Sequence, residues 1–206
     1  MAINNNYKLT YSGLVSAISS SINEPARLLM LHVLAYANRD RLMSEQLSRY
    51  IEKSGSQLES LMTSLIEDKY LTLTHSEDVP DQELIVSPEM FISQLETLSV
   101  NGKVILADAH GLILASSGYS ASDAEYIAAI ARNLVQISEQ AKARIKNHTD
   151  KKLWSTGLSW GSLRALCLSI YVGRRQYILV VGGLPDLEKA EFFNLVGFLV
   201  RRYGYE

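Results

Sequence analysis

One cysteine, four prolines and no long apolar run mark this chain of 206 residues by what it has little of. A single thiol, Cys167, excludes an intramolecular disulfide framework and fits a reducing compartment. The apolar runs, such as Tyr177 to Val181, fall far short of the roughly 20 residues a membrane-crossing helix needs. The opening Met-Ala-Ile-Asn-Asn-Asn has neither the basic nor the apolar region of a secretory signal. Together these absences predict a cytoplasmic protein.

Catalytic and cofactor patterns are missing as well. The four histidines, His32, His75, His110 and His148, are scattered, and none is paired with another His or Cys at metal-ligand spacing. His32 sits on an apolar helix pattern and is expected to be a hydrogen-bonded core histidine. Cys167 lies in Ala165-Leu166-Cys167-Leu168, a setting that favours packing over thiolate chemistry. Neither the G-x-x-x-x-G-K-[ST] loop nor the dinucleotide G-x-G-x-x-G pattern occurs, and no G-x-S-x-G elbow is present. Gly182-Gly183 is followed by Leu184-Pro185, which suits a tight strand-to-helix turn better than a phosphate cradle. The sequence therefore predicts no catalytic residue, no cofactor and no metal: a protein that is not an enzyme.

What is present is ordinary globular material, 47% hydrophobic and 20% charged, with a net charge of -2. The charge is unevenly spread. Residues 1–99 hold 7 Lys/Arg and 13 Asp/Glu, a net of 7 − 13 = -6, and residues 100–206 hold 13 and 9, a net of 13 − 9 = +4. Two units with different surfaces are expected.

Residues 1–23, polar and rich in Ser and Asn, are expected to form an arm or a short leading helix from Tyr11 to Ile22. Glu24-Pro25 opens a helix with Leu28, Leu31, Leu34 and Ala35 at helical spacing. A second helix is expected from Ser44, carrying Leu47, Tyr50 and Ile51 inward. Ser56 and Glu59 form an S-x-x-E capping box for a third, with Leu58, Leu61, Met62 and Leu65. Tyr70 to Thr74 alternates like a strand, and Leu84-Ile85-Val86 is its expected partner across a turn at residues 76–82. Three helices and a hairpin, with the Leu65-Ile66-Glu67-Asp68-Lys69-Tyr70-Leu71 transition between them, resemble a winged helix over residues 24–86.

From Ser87-Pro88-Glu89 a helix places Phe91, Ile92, Leu95 and Leu98 on one face. Val104 to Ala107 and Leu112 to Ala115 then flank an Asp108-Ala109-His110-Gly111 turn. Ser122 and Glu125 make a second capping box, and the helix behind it reaches about Lys146. Its inner stripe is Ile127, Ile130, Ala131, Leu134, Ile137, Ser138, Ala141 and Ile145. Strands follow at Leu153–Trp160, Leu163–Val172 and Tyr177–Gly182. Asp186 opens a final helix with Phe193, Val196, Val200 and Tyr203 inward. This order, with the Val104-Ile105-Leu106-Ala107-Asp108-Ala109-His110-Gly111-Leu112-Ile113-Leu114-Ala115-Ser116 hairpin before a long alanine-rich helix, resembles the Roadblock / dynein light chain family over residues 87–206.

The resulting expectation is an α+β chain. An N-terminal helical winged-helix domain precedes a C-terminal Roadblock-like α/β sandwich with a central five-stranded sheet. The resemblance implies a non-enzymatic regulatory or adaptor protein, a homodimer that binds a protein partner of the small Ras-like GTPase class. On the long helix, Arg132, Gln136, Glu139, Lys142 and Arg144 are the candidate partner surface. The alternative is a DNA-binding transcription regulator, whose contacts would be Arg49, Lys53, Gln57, Ser60 and Thr63. Against nucleic acid stands charge. No Lys or Arg occurs between Ser54 and Asp68, and the wing carries Glu77, Asp78, Asp81 and Glu83. Only Arg39, Arg41, Arg49, Lys53 and Lys69 are placed to compensate, and phosphate neutralisation supplies most non-specific DNA affinity.

Overall fold

A computed structural model describes residues 6–22, 24–36, 51, 55–74, 88–144, 155–160, 163–183 and 185–204. In chain order its elements are β1 (Asn6–Leu9), α1 (Tyr11–Ile18), α2 (Pro25–Tyr36), α3 (Gly55–Glu67), β2 (Leu71–Thr74) and α4 (Pro88–Thr97). There follow β3 (Val104–Asp108), β4 (Ile113–Ser117), α5 (Ala121–Arg144), β5 (Ser155–Trp160), β6 (Leu163–Val172), β7 (Arg175–Gly182) and α6 (Ala190–Tyr203).

The expected five-stranded sheet is present, antiparallel throughout, in the order β4-β3-β7-β6-β5. Strand alternation sorts its side chains onto two faces. Ile105, Ala107, Ala165, Cys167, Ile178 and Val180 meet Ala124, Ile127, Ala128, Ala131 and Val135 of α5. Val104, Leu106, Leu168, Ile170, Val172, Leu179 and Val181 share the opposite core with residues of α1, α2, α4 and α6. The sheet is thus the middle layer of three. Small alanines on α5 bring that helix close to one face, and the bulkier Leu195, Leu199 and Phe192 of α6 help fill the other.

The short leading helix expected from Tyr11 is present as α1, while residues 6–9 form a strand and not an arm. Tyr7 and Leu9 are buried, and β1 pairs with β2 in the register Asn6↔Thr74 to Leu9↔Leu71. Thr10 then starts α1, its Oγ1 accepting from the Gly13 N–H at 3.0 Å and donating to the Lys69 carbonyl at 2.8 Å. Gly13 lets α1 lie against the Tyr70 carbonyl, where any side chain would collide. The partner of β2 is therefore β1. The expected wing strand at Leu84–Val86 and the helix expected from Ser44 lie outside the described residues, except for Ile51, which is buried as expected.

One apolar cluster includes Leu14, Leu29, Leu34 and Leu71 together with Leu106, Leu179, Phe192 and Val200, so the core is continuous across residue 86. Arg27, 4% exposed, is built into it. Its Nε donates to the Ala17 carbonyl at 2.7 Å, and Nη2 donates to the Tyr171 and Gly173 carbonyls at 3.0 and 3.1 Å. Arg201 on α6 donates in the same way to the Ala35 carbonyl near the end of α2, at 3.2 Å. Both guanidiniums meet helix C-termini, where unsatisfied carbonyls and the helix dipole favour a cation.

Helix α3 ends in a Schellman turn: the Lys69 N–H donates to the Ile66 carbonyl and the Tyr70 N–H to the Leu65 carbonyl. This leaves Lys69 at φ 59, a conformation glycine adopts without strain. Lys69→Gly is expected to raise stability by about 0.5–1 kcal/mol, because the side chain is exposed and only the backbone preference changes. A urea denaturation midpoint that falls instead would refute this reading of the turn.

Four sequence expectations shift by a position or more. Ile92 is exposed, while Phe91, Leu95 and Leu98 are buried as expected. Ser120, not Ser122, caps α5: its Oγ accepts from the Asp123 N–H at 3.2 Å and donates to Asp123 Oδ2 at 2.7 Å. Strand β7 begins at Arg175, two residues before the expected Tyr177. Helix α6 begins at Ala190, because Asp186 holds a preceding turn by accepting from the Glu188 N–H.

Candidate partner-binding surface

An isolated sheet has two edges, and the two here differ. Strand β4 is irregular: its register with β3 shifts between Leu106 and Ala107, leaving Leu114 opposite no residue. A bulge of this kind spoils further pairing along an edge. Strand β5 is regular. All six of its residues pair in unbroken register with β6, from Ser155↔Leu168 to Trp160↔Leu163, and its other edge meets no described strand.

The β5 side chains divide by face. Thr156 and Leu158 turn toward α5, where Leu158 joins the apolar cluster and the Thr156 and Ser138 hydroxyls bond at 2.6 Å. Ser155, Gly157 and Ser159 point the other way and are exposed. These small residues lie next to an edge that pairs with no described strand.

Helix α5 crosses the opposite face of the sheet, touching all five strands, and carries apolar side chains outward. Tyr126 and Ile137 are 57% and 62% exposed. They stand eleven positions apart, about three turns, so they share one face of the helix. Ile137 was expected on the inner stripe. The buried set is instead Ala124, Ile127, Ala128, Ala131 and Val135, with Ser138 continuing it, a phase that turns Ile137 out.

The candidate partner residues separate accordingly. Arg132 and Gln136 are exposed on α5. Arg132 runs along the β3–β4 turn, where a Cβ on Gly111 would stand 3.6 Å from its Cβ and Cδ. Glu139 faces inward and is half-buried, hydrogen-bonding the Tyr171 phenol. Burial first, and the neighbouring Glu139 second, push the Tyr171 hydroxyl above its usual pKa. The Lys142 and Arg144 side chains lie outside the described residues. Sequence periodicity gave no sign that Glu139 would turn in, since its partner is on a strand more than thirty residues away.

The residues of the nucleic-acid alternative are only partly in view. Gln57, Ser60 and Thr63 are exposed on α3, and the Thr63 hydroxyl donates to the Glu59 carbonyl. Arg49 and Lys53, with Arg39 and Arg41, lie outside the described residues. The described helix therefore shows polar groups and no cation on that face.

Titratable groups in the core behave as packing residues. Burial pushes the Cys167 thiol up to about 11, against thiolate formation. His32, half-buried and tilted against the Tyr36 ring at 4.8 Å, is lowered by burial to about 4 and so is neutral at pH 7. Among the described residues no group of three or more His, Cys, Asp or Glu is placed to hold a metal ion. No described helix is long and apolar enough to cross a membrane.

No protein-family model matches the chain. No curated protein matches it in sequence. Among solved structures the chain is similar to the crystal structure of a Roadblock/LC7 domain from Streptomyces avermitilis. The identity is 18%, the match covers 54% of this chain and 91% of that one, and the TM-score is 0.39. A likeness this slight says nothing of what the chain binds, and the candidate surface rests on the geometry of β5 and α5 alone.

Proposed function

We propose that the protein is a non-enzymatic regulatory adaptor that forms a homodimer through β5 and α5 and binds a protein partner of the small Ras-like GTPase class. What supports the proposal is the regular β5 edge, which meets no described strand, together with the exposed Tyr126 and Ile137 on the helix that covers the same sheet. Two copies related by a two-fold axis would pair β5 with β5, joining two sheets into one and covering both apolar stripes. Exposed aromatic and aliphatic residues beside unsatisfied backbone mark such contact sites. The GTPase class comes from the Roadblock resemblance in the sequence, and the second surface for it is the exposed Arg132–Gln136 side of α5.

Dimerisation is expected to give twice the chain mass of 23.0 kDa by sedimentation velocity at micromolar concentration. Tyr126→Glu combined with Ile137→Glu should return the mass to a single chain with unchanged circular dichroism and a melting transition that no longer depends on concentration. A dimer indifferent to both changes would move the interface elsewhere. The partner class is tested by affinity capture from the native cell with GTP analogue or GDP. Retention of a small GTPase in one nucleotide state supports it, and a dimer that retains none contradicts it.

A further inference from the structure

We draw no further inference here: the strongest candidate, the side of β5 turned away from α5, where Ser155, Gly157 and Ser159 are exposed and a Cβ on Gly157 would meet nothing within 4 Å, is a stripe of small residues, and nothing in the structure shows what covers it.

Discussion

Replacing Arg27 with alanine is expected to lower the stability of the full chain by about 3–5 kcal/mol, a large part of the roughly 5–15 kcal/mol that holds a typical domain together. The side chain is 4% exposed and donates to three carbonyls, those of Ala17, Tyr171 and Gly173. A buried carbonyl left without its donor loses roughly 1–3 kcal/mol, and the vacated volume adds a cavity term. The described pairing of β5 with β6 ends at Leu168, so the Tyr171 carbonyl lies past the end of that ladder, where Arg27 reaches it. Arg27→Lys keeps the charge but not the fork, because one ammonium cannot reach both the α1 end and the β6–β7 turn. It should recover less than half of the loss. Urea denaturation of the three proteins decides the matter, and a deficit under about 1 kcal/mol for the alanine variant would mean that water replaces the guanidinium without strain.

The second large effect concerns the first 86 residues. Deleting them is expected to leave residues 87–206 without a cooperative melting transition. Helix α1 packs on β6, and α2 packs on α6, where a Cβ on Gly197 would stand 3.3 Å from the Leu34 carbonyl. Leu14, Ile18, Leu29, Leu31, Val33 and Leu34 are all buried in this shared core. Each fully buried aliphatic side chain of this kind contributes roughly 1.5–3 kcal/mol, so losing six exceeds the net stability of most domains. The truncated segment should bind hydrophobic dye and lose its near-ultraviolet circular dichroism. A sharp, reversible melt of residues 87–206 would show that the two parts fold independently and that the continuous core is a docking contact.

Local signals in the sequence carried much of the C-terminal architecture. The Asp108–Gly111 turn was legible because an Asp that accepts from its following N–H groups and a Gly at positive φ are near-local requirements. Strand β6 was legible at both ends, since alternation and the flanking turn residues mark it. Long-range partners were not legible. Strand β1 has only four residues, and its partner β2 is more than sixty positions away, so Tyr7 and Leu9 read as part of a polar arm. The role of Arg27 depends on carbonyls 144 and 146 residues downstream, which no periodicity reveals. The candidate surface on α5 was half legible for a related reason. Helical phase over a 24-residue helix drifts with small errors in the assumed stripe, which put Ile137 inside and left Glu139 on the outer face.

The pairing of β5 can be watched directly by amide hydrogen exchange on the full chain at several concentrations. In a single chain, the outward N–H groups of Ser155–Trp160 meet no described strand and should exchange rapidly. Their protection is expected to rise with protein concentration, in step with the appearance of twice the 23.0 kDa mass, and to be lost in the Tyr126→Glu, Ile137→Glu variant. Rapid exchange along β5 at every concentration, with the mass of one chain throughout, would contradict the pairing.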